Sequence, residues 1–165
     1  MTKTIIRIIV FVLVQVLVLK GLAFWSVAFC FIYILCIVSL PIELNRIALM
    51  LIALGIGFTT DLFYETLGIH SFASVLTAYL RPFWLSTLTP SGGYDVGQKI
   101  SISSLGLSWF TLFCFPLIVV HILVLFLLES SDFSYLGGQL WKALCSSLFT
   151  FSAFILSEYL IPRSK

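Results

Sequence analysis

Apolar residues in this chain do not alternate with polar ones at period 2, and for most of its length they do not follow an amphipathic period of 3.6 either. They come in long unbroken runs, separated by short polar punctuation. Six runs stand out, over residues 4–19, 24–40, 46–63, 67–88, 107–128 and 140–161. Each is too long for a strand and lacks the in/out alternation of a barrel, so the pattern predicts six helices. Several lie near the short end of the ~17–25 residues that a spanning helix needs. Lys20 and Gly21 mark the exit of the first run, and Pro41 stops the second. Arg81 and Pro82 interrupt the fourth, which continues over 83–88 as an aromatic amphipathic tail. Residues 89–106 form the longest polar loop, with an extended piece expected over 99–103.

Composition makes the surrounding solvent plain. Of 165 residues, 61% are hydrophobic and 10% charged, and mean hydropathy is +1.16. A water-facing shell cannot be built from that composition at this length. In hydrocarbon every backbone group must be paired internally, which leaves an all-α integral membrane protein with six transmembrane helices as the expected fold. One polytopic domain covers residues 1–165, with no room for a soluble catalytic unit. The N-terminal run resembles a signal peptide, but no small-x-small site follows it, so it is read as an uncleaved first span.

Charge sets the expected orientation. With the N-terminus in the cytoplasm, Lys3, Arg7, Arg46, Arg81, Lys99, Arg163 and Lys165 fall inside, and only Lys20 and Lys142 of the nine basic residues fall outside. Six crossings then return the C-terminus to the cytoplasm and place loop 89–106 there. Glu65, Glu129 and Asp132 lie on the outer side. A net charge of +2 from scattered basic residues gives no nucleic-acid patch.

Ionisable groups within the spans are the candidate chemistry. Asp61 stands fifteen residues past Arg46, about 22 Å up the third helix, and His121 fourteen past Leu107, about 21 Å up the fifth. Such groups face a protein interior or water. Either Asp61 and His121 pair directly, or each finds a backbone group or water. Arg81 is expected well below Asp61, with no bridge between them. It marks the inner interface, where Pro82 bends the chain along the surface with Phe83 and Trp84 as anchors. Arg7 and Glu158 lie near inner helix ends, Glu158 within reach of Arg163, and Gln15 is placed to bond across helices.

Catalytic and metal motifs are missing from the sequence. Cys30, Cys36, Cys114 and Cys145 form no C-x-x-C pair and read as small hydrophobes. His70 and His121 have no metal-site spacing. The stretch Gly92-Gly93-Tyr94-Asp95-Val96-Gly97-Gln98-Lys99-Ile100-Ser101 separates the lysine from its glycine and its serine, so it is no phosphate loop. With neither a nucleophile elbow nor a zinc helix, no enzyme and no cofactor are expected.

The most distinctive stretch is 55–73, GIGFTTDLFYETLGIHSFA. It reads as a helix end with a buried acid, a glycine turn and a new helix. Gly55 and Gly57 are expected to let a neighbour approach, Gly68 to relieve the turn and Ser71 to cap the next helix. Gly57, Asp61, Leu62, Leu67, Gly68 and Ile69 resemble the Gly-x-x-x-Asp-hydrophobic element and following glycine turn of the MreD family, rod-shape-determining proteins of the bacterial inner membrane. Ala78-Tyr79-Leu80-Arg81-Pro82-Phe83 fits one branch of that family. The likeness covers about residues 55–83, and the Asp61-to-Gly68 spacing is one shorter than in its best-matching members.

That resemblance implies a non-enzymatic scaffold of lateral cell-wall elongation. Its partner would be MreC, a bitopic protein. Through MreC it would join the MreB filament, the glycosyltransferase RodA and a class B penicillin-binding protein, with the chain itself embedded in the lipid of the cytoplasmic membrane. The resemblance also implies a likeness in fold to the substrate-binding subunits of energy-coupling-factor vitamin transporters. A substrate-binding subunit of that kind is the alternative function. The bulky first span and the few polar residues at mid-depth favour the scaffold.

Overall fold

The structure is a computed structural model that describes residues 2–20, 23–24, 27–95, 97–130 and 136–160, with the backbone alone at 2–5, 23–24 and 136. It is mostly helical. Helix α1 spans Thr2–Val14 and continues as a π-helical stretch, Gln15–Leu19. A two-residue antiparallel pair follows, β1 (Ala23–Phe24) with β2 (Ala28–Phe29), in the register Ala23 to Phe29 and Phe24 to Ala28. Then come a short α2 (Ile34–Val38), α3 (Arg46–Tyr64), α4 (Ile69–Thr87), a single turn α5 (Ile102–Leu105), α6 (Leu107–Glu129) and α7 (Leu136–Leu160).

Among the described residues three helices are long and apolar enough to cross a membrane: α3, α6 and residues Gly137–Leu160 of α7. They mark a membrane protein. Their apolar faces point outward, through Ile47, Leu51, Phe58 and Leu62 on α3 and Trp141, Leu144, Leu148 and Leu156 on α7. In a bilayer that is the cheap arrangement, since lipid tails are as apolar as leucine. The interior holds the aromatic core (Phe110, Phe113, Phe154) and nearly all the buried polar groups.

The second run departs from expectation. The described residues of 24–40 do not form one continuous helix. Between β2 and α2 the chain is largely irregular, and helix resumes only over five residues. This segment is nonetheless the most enclosed part of the molecule: Tyr33, Ile34, Leu35, Ile37 and Val38 expose nothing. A short apolar run cannot be assigned to helix or strand by periodicity. Irregular backbone at membrane depth is tolerated only where protein encloses it and supplies its hydrogen bonds.

Those bonds come from neighbouring side chains. Ser146 Oγ accepts from the Phe29 amide at 3.0 Å, and Thr150 Oγ1 accepts from the Phe31 amide at 3.1 Å. These hydroxyls, four residues apart on α7, stand in for a partner strand. Gln15 Nε2 donates to Cys30 O at 3.0 Å. At the far end Arg81 donates from Nε to Val38 O at 3.1 Å and from its terminal nitrogen to Leu40 O. Cys30 thus lies level with Gln15 and the Tyr64 end of α3, while Leu40 lies level with Arg81, six residues before α3 begins. The broken segment runs the length of α3.

Helix α4 is continuous through Arg81 and Pro82, where an interruption was expected. Arg81 is 1% exposed and caps the last carbonyls around α2. Proline inside α6 has its own remedy. Pro116 has no N–H for Leu112 O, and the Trp84 indole donates to that carbonyl at 2.9 Å instead. Trp109 Nε1 and the Tyr94 hydroxyl donate to Leu88 O and Leu85 O, closing the end of α4. Burial raises the Tyr94 phenol above its ordinary value, so it stays a donor at neutral pH. Of the extended piece expected over 99–103, Ser101 is extended, while Ile102 and Ser103 already belong to α5.

Candidate functional site: a buried polar chain and the knot at Asp61

The α3–α4 turn is held by one carboxylate. Asp61 is 4% exposed and takes four hydrogen bonds. Thr66 Oγ1 donates to Oδ1 at 2.5 Å and the His70 amide donates to it at 2.9 Å. The Ser71 amide and hydroxyl donate to Oδ2 at 2.8 and 2.6 Å. Gly68 is the N-cap of α4 and has no side chain to offer, so the second and third amides of that helix would be orphans. Asp61 reaches over from α3 to cap them. Ser71 was expected to be the cap; it is a donor to the capping carboxylate.

Two glycines make the turn possible. A Cβ on Gly57 would lie 2.6 Å from Ser71 Cα and 2.7 Å from His70 O, both backbone that cannot yield. Gly68 has φ +88°, the left-handed region where a side chain is strained. Gly55, expected to admit a neighbour as well, faces open space. Glu65 takes φ 57° at the C-cap of α3 without being glycine. That costs about 1–2 kcal/mol, which the Asp61 bonds to Thr66 and to α4 offset.

Below the knot, α4 carries a stripe of buried polar side chains at helical spacing: His70, Ser74, Thr77 and Arg81. It faces the broken segment and α6. Tyr33 Oη lies 2.9 Å from His70 Nδ1 and 2.7 Å from His121 Nε2, and His121 Nδ1 lies 2.9 Å from Thr77 Oγ1. Thr77 has one hydroxyl proton, and it is directed to Ala73 O at 2.8 Å. Thr77 therefore accepts from His121 Nδ1–H. His121 Nε2 then accepts from the Tyr33 hydroxyl, whose oxygen accepts from His70 Nδ1–H. One assignment satisfies every member with both imidazoles neutral. The chain ends on the Ala73 carbonyl, which has no proton to pass on.

Asp61 and His121 both face the interior, but the expected direct pair is not formed. They are joined only through His70, whose amide binds Asp61 and whose ring binds Tyr33. No Asp61–Arg81 bridge exists, in line with the expected depth difference. Gln15 does bond across elements, donating to Tyr64 Oη at 2.8 Å as well as to Cys30 O. Its Oε1 and the Ser74 hydroxyl are buried without a hydrogen bond. Arg7 pairs with Glu158 at 3.1 Å, tying α1 to α7. Arg163, Lys165, Asp132, Gly21 and the Lys3 side chain lie outside the described residues. Among the described residues no cluster of three or more His, Cys, Asp or Glu could hold a metal.

Sequence reasoning missed Tyr33, Thr77 and Ser74, and it assigned His70 no role. The step of four, three and four from His70 to Arg81 was present as a signal. Tyr33 carried none, because its segment was assigned to a helix. No family model, no characterised protein and no solved structure matches this chain.

Proposed function

We propose that this chain is a non-enzymatic scaffold of the bacterial cell-wall elongation machinery, of the MreD kind. It sits in the cytoplasmic membrane with six crossings and both termini inside, the second crossing made by the broken segment. It docks the span of an MreC-like bitopic protein, and through it MreB, RodA and a class B penicillin-binding protein. The observation that carries this reading is the use of the interior polar groups. Asp61 spends both oxygens on the α3–α4 turn, His121 spends both nitrogens, and Arg81 commits Nε and one terminal nitrogen to the carbonyls behind α2. Groups committed in this way hold a shape rather than a substrate. The blind end of the hydrogen-bonded chain at Ala73 O likewise favours a clamp over a proton path. The residues of the MreD-like element meet in the same turn: Gly57, Asp61 and Gly68.

A transporter's substrate-binding subunit is the second reading. The unbonded Gln15 Oε1 and Ser74 Oγ, near a broken crossing, favour it, because discontinuous segments line such sites. Co-purification in mild detergent separates the two. The scaffold reading expects an MreC-like bitopic protein to be retained. Recovery of no such partner, together with nanomolar binding of a small vitamin, would replace it with the transporter.

A further inference from the structure

The turn between α3 and α4 shows more than its own stability requires. Leu67, at its tip, is fully exposed (103%). Two residues earlier Glu65 is exposed in left-handed backbone, with no cation in ion-pair distance among the described residues. The nearby Lys20 is occupied, donating to Phe63 O and lying over the Tyr64 ring at 5.8 Å. The mount beneath is stiff: Thr66 is bonded to Asp61, Gly57 sits against Ser71, and Lys20 closes the end of α3.

Depth separates lipid contact from protein contact. The 19 residues of α3 rise about 28 Å, close to the ~30 Å of hydrocarbon in a bilayer. With Arg46 at the inner boundary, Glu65 emerges at the outer one and Leu67 stands beyond it, among headgroups and water. A leucine that merely touched acyl chains would need no rigid mount. A leucine presented to a protein gains from one, because less freedom is lost on binding.

We propose that Glu65 and Leu67 form a rigid docking knuckle on the external face, recognised by a protein surface that sets a lysine or arginine beside an apolar pocket one side chain wide. The charge follows from the unpaired carboxylate, and the pocket from the exposed leucine. This rests on the scaffold reading and adds where the partner is gripped outside the membrane.

The test uses the full chain in lipid nanodiscs, titrated with a purified MreC-like bitopic protein. Four forms are compared: wild type, Leu67→Ser, Glu65→Lys and Glu65→Gly. Glycine suits left-handed backbone, so Glu65→Gly removes the carboxylate and keeps the turn. All four are expected to share the wild-type unfolding midpoint or exceed it. Each variant is expected to bind about tenfold more weakly or worse, Glu65→Lys worst of all. Wild-type affinity in Leu67→Ser or in Glu65→Gly overturns the knuckle and leaves the scaffold standing. Failure of the wild type to bind overturns both.

Discussion

Gly55 and Gly57, two residues apart on α3, show how little residue type decides without its surroundings. Gly57→Ala drives a methyl into the Ser71 backbone and is expected to destabilise by about 2–4 kcal/mol, at the upper end for overpacking. Gly55→Ala meets open space and is expected to be neutral or to stabilise by up to about 1 kcal/mol. Denaturant unfolding in detergent, followed by tryptophan fluorescence, checks both; equal effects would refute the close approach. Asp61→Asn is the companion case. Its amide nitrogen must face amide or hydroxyl donors, so at least one of four bonds becomes a donor–donor contact, and charge assistance is lost from the rest. A loss of about 2–3 kcal/mol is expected, with insertion preserved and shape maintenance weakened. Unaltered cell width and growth in the Asp61→Asn strain would contradict a role in shape. The sequence placed Asp61 and His121 at one depth, and their interior facing follows from the cost of charge in lipid. Their separation did not, because depth carries no azimuth.

At the scale of elements, α3 and α6 were legible because hydropathy and a turn signal marked both ends. The 24–40 segment was not. Its apolar run is what a buried strand, a buried helix or a broken segment would each show, and what decides among them lies over a hundred residues away in Ser146 and Thr150. Hydroxyls in an apolar helix are ambiguous when read alone: they bond their own turn as readily as a neighbour. Ser147 does the former, donating to Ala143 O at 2.7 Å. Replacing the docking pair, Ser146→Ala with Thr150→Val, leaves the Phe29 and Phe31 amides unmet in the interior. Faster hydrogen exchange at those two amides is expected, by about tenfold or more for each ~1.4 kcal/mol lost, with α6 amides unchanged. Unchanged protection at Phe29 and Phe31 would show that the segment holds its shape without α7. The α4 stripe was legible in principle, since His70, Ser74, Thr77 and Arg81 share a helical face. The expected break at Pro82 obscured it.

The molecule as a whole is an inside-out arrangement, with apolar faces outward and a polar seam within. The seam runs from the Asp61 knot through His70, Tyr33, His121 and Thr77 to Arg81, and it seats a segment that makes few backbone hydrogen bonds of its own before α2. Composition announced the outward face; only the packing of α4, α6 and α7 around residues 27–40 revealed the purpose of the seam. The most direct test is solid-state NMR of the labelled chain in lipid bilayers, reading backbone carbon shifts over 28–38 together with the ring nitrogens of His70 and His121. Non-helical shifts over 28–31, helical shifts confined to 34–38 and both imidazoles neutral with the proton on Nδ1 are expected. Continuous helical shifts from 28 to 38, or a proton on both nitrogens of either ring at neutral pH, would contradict the account.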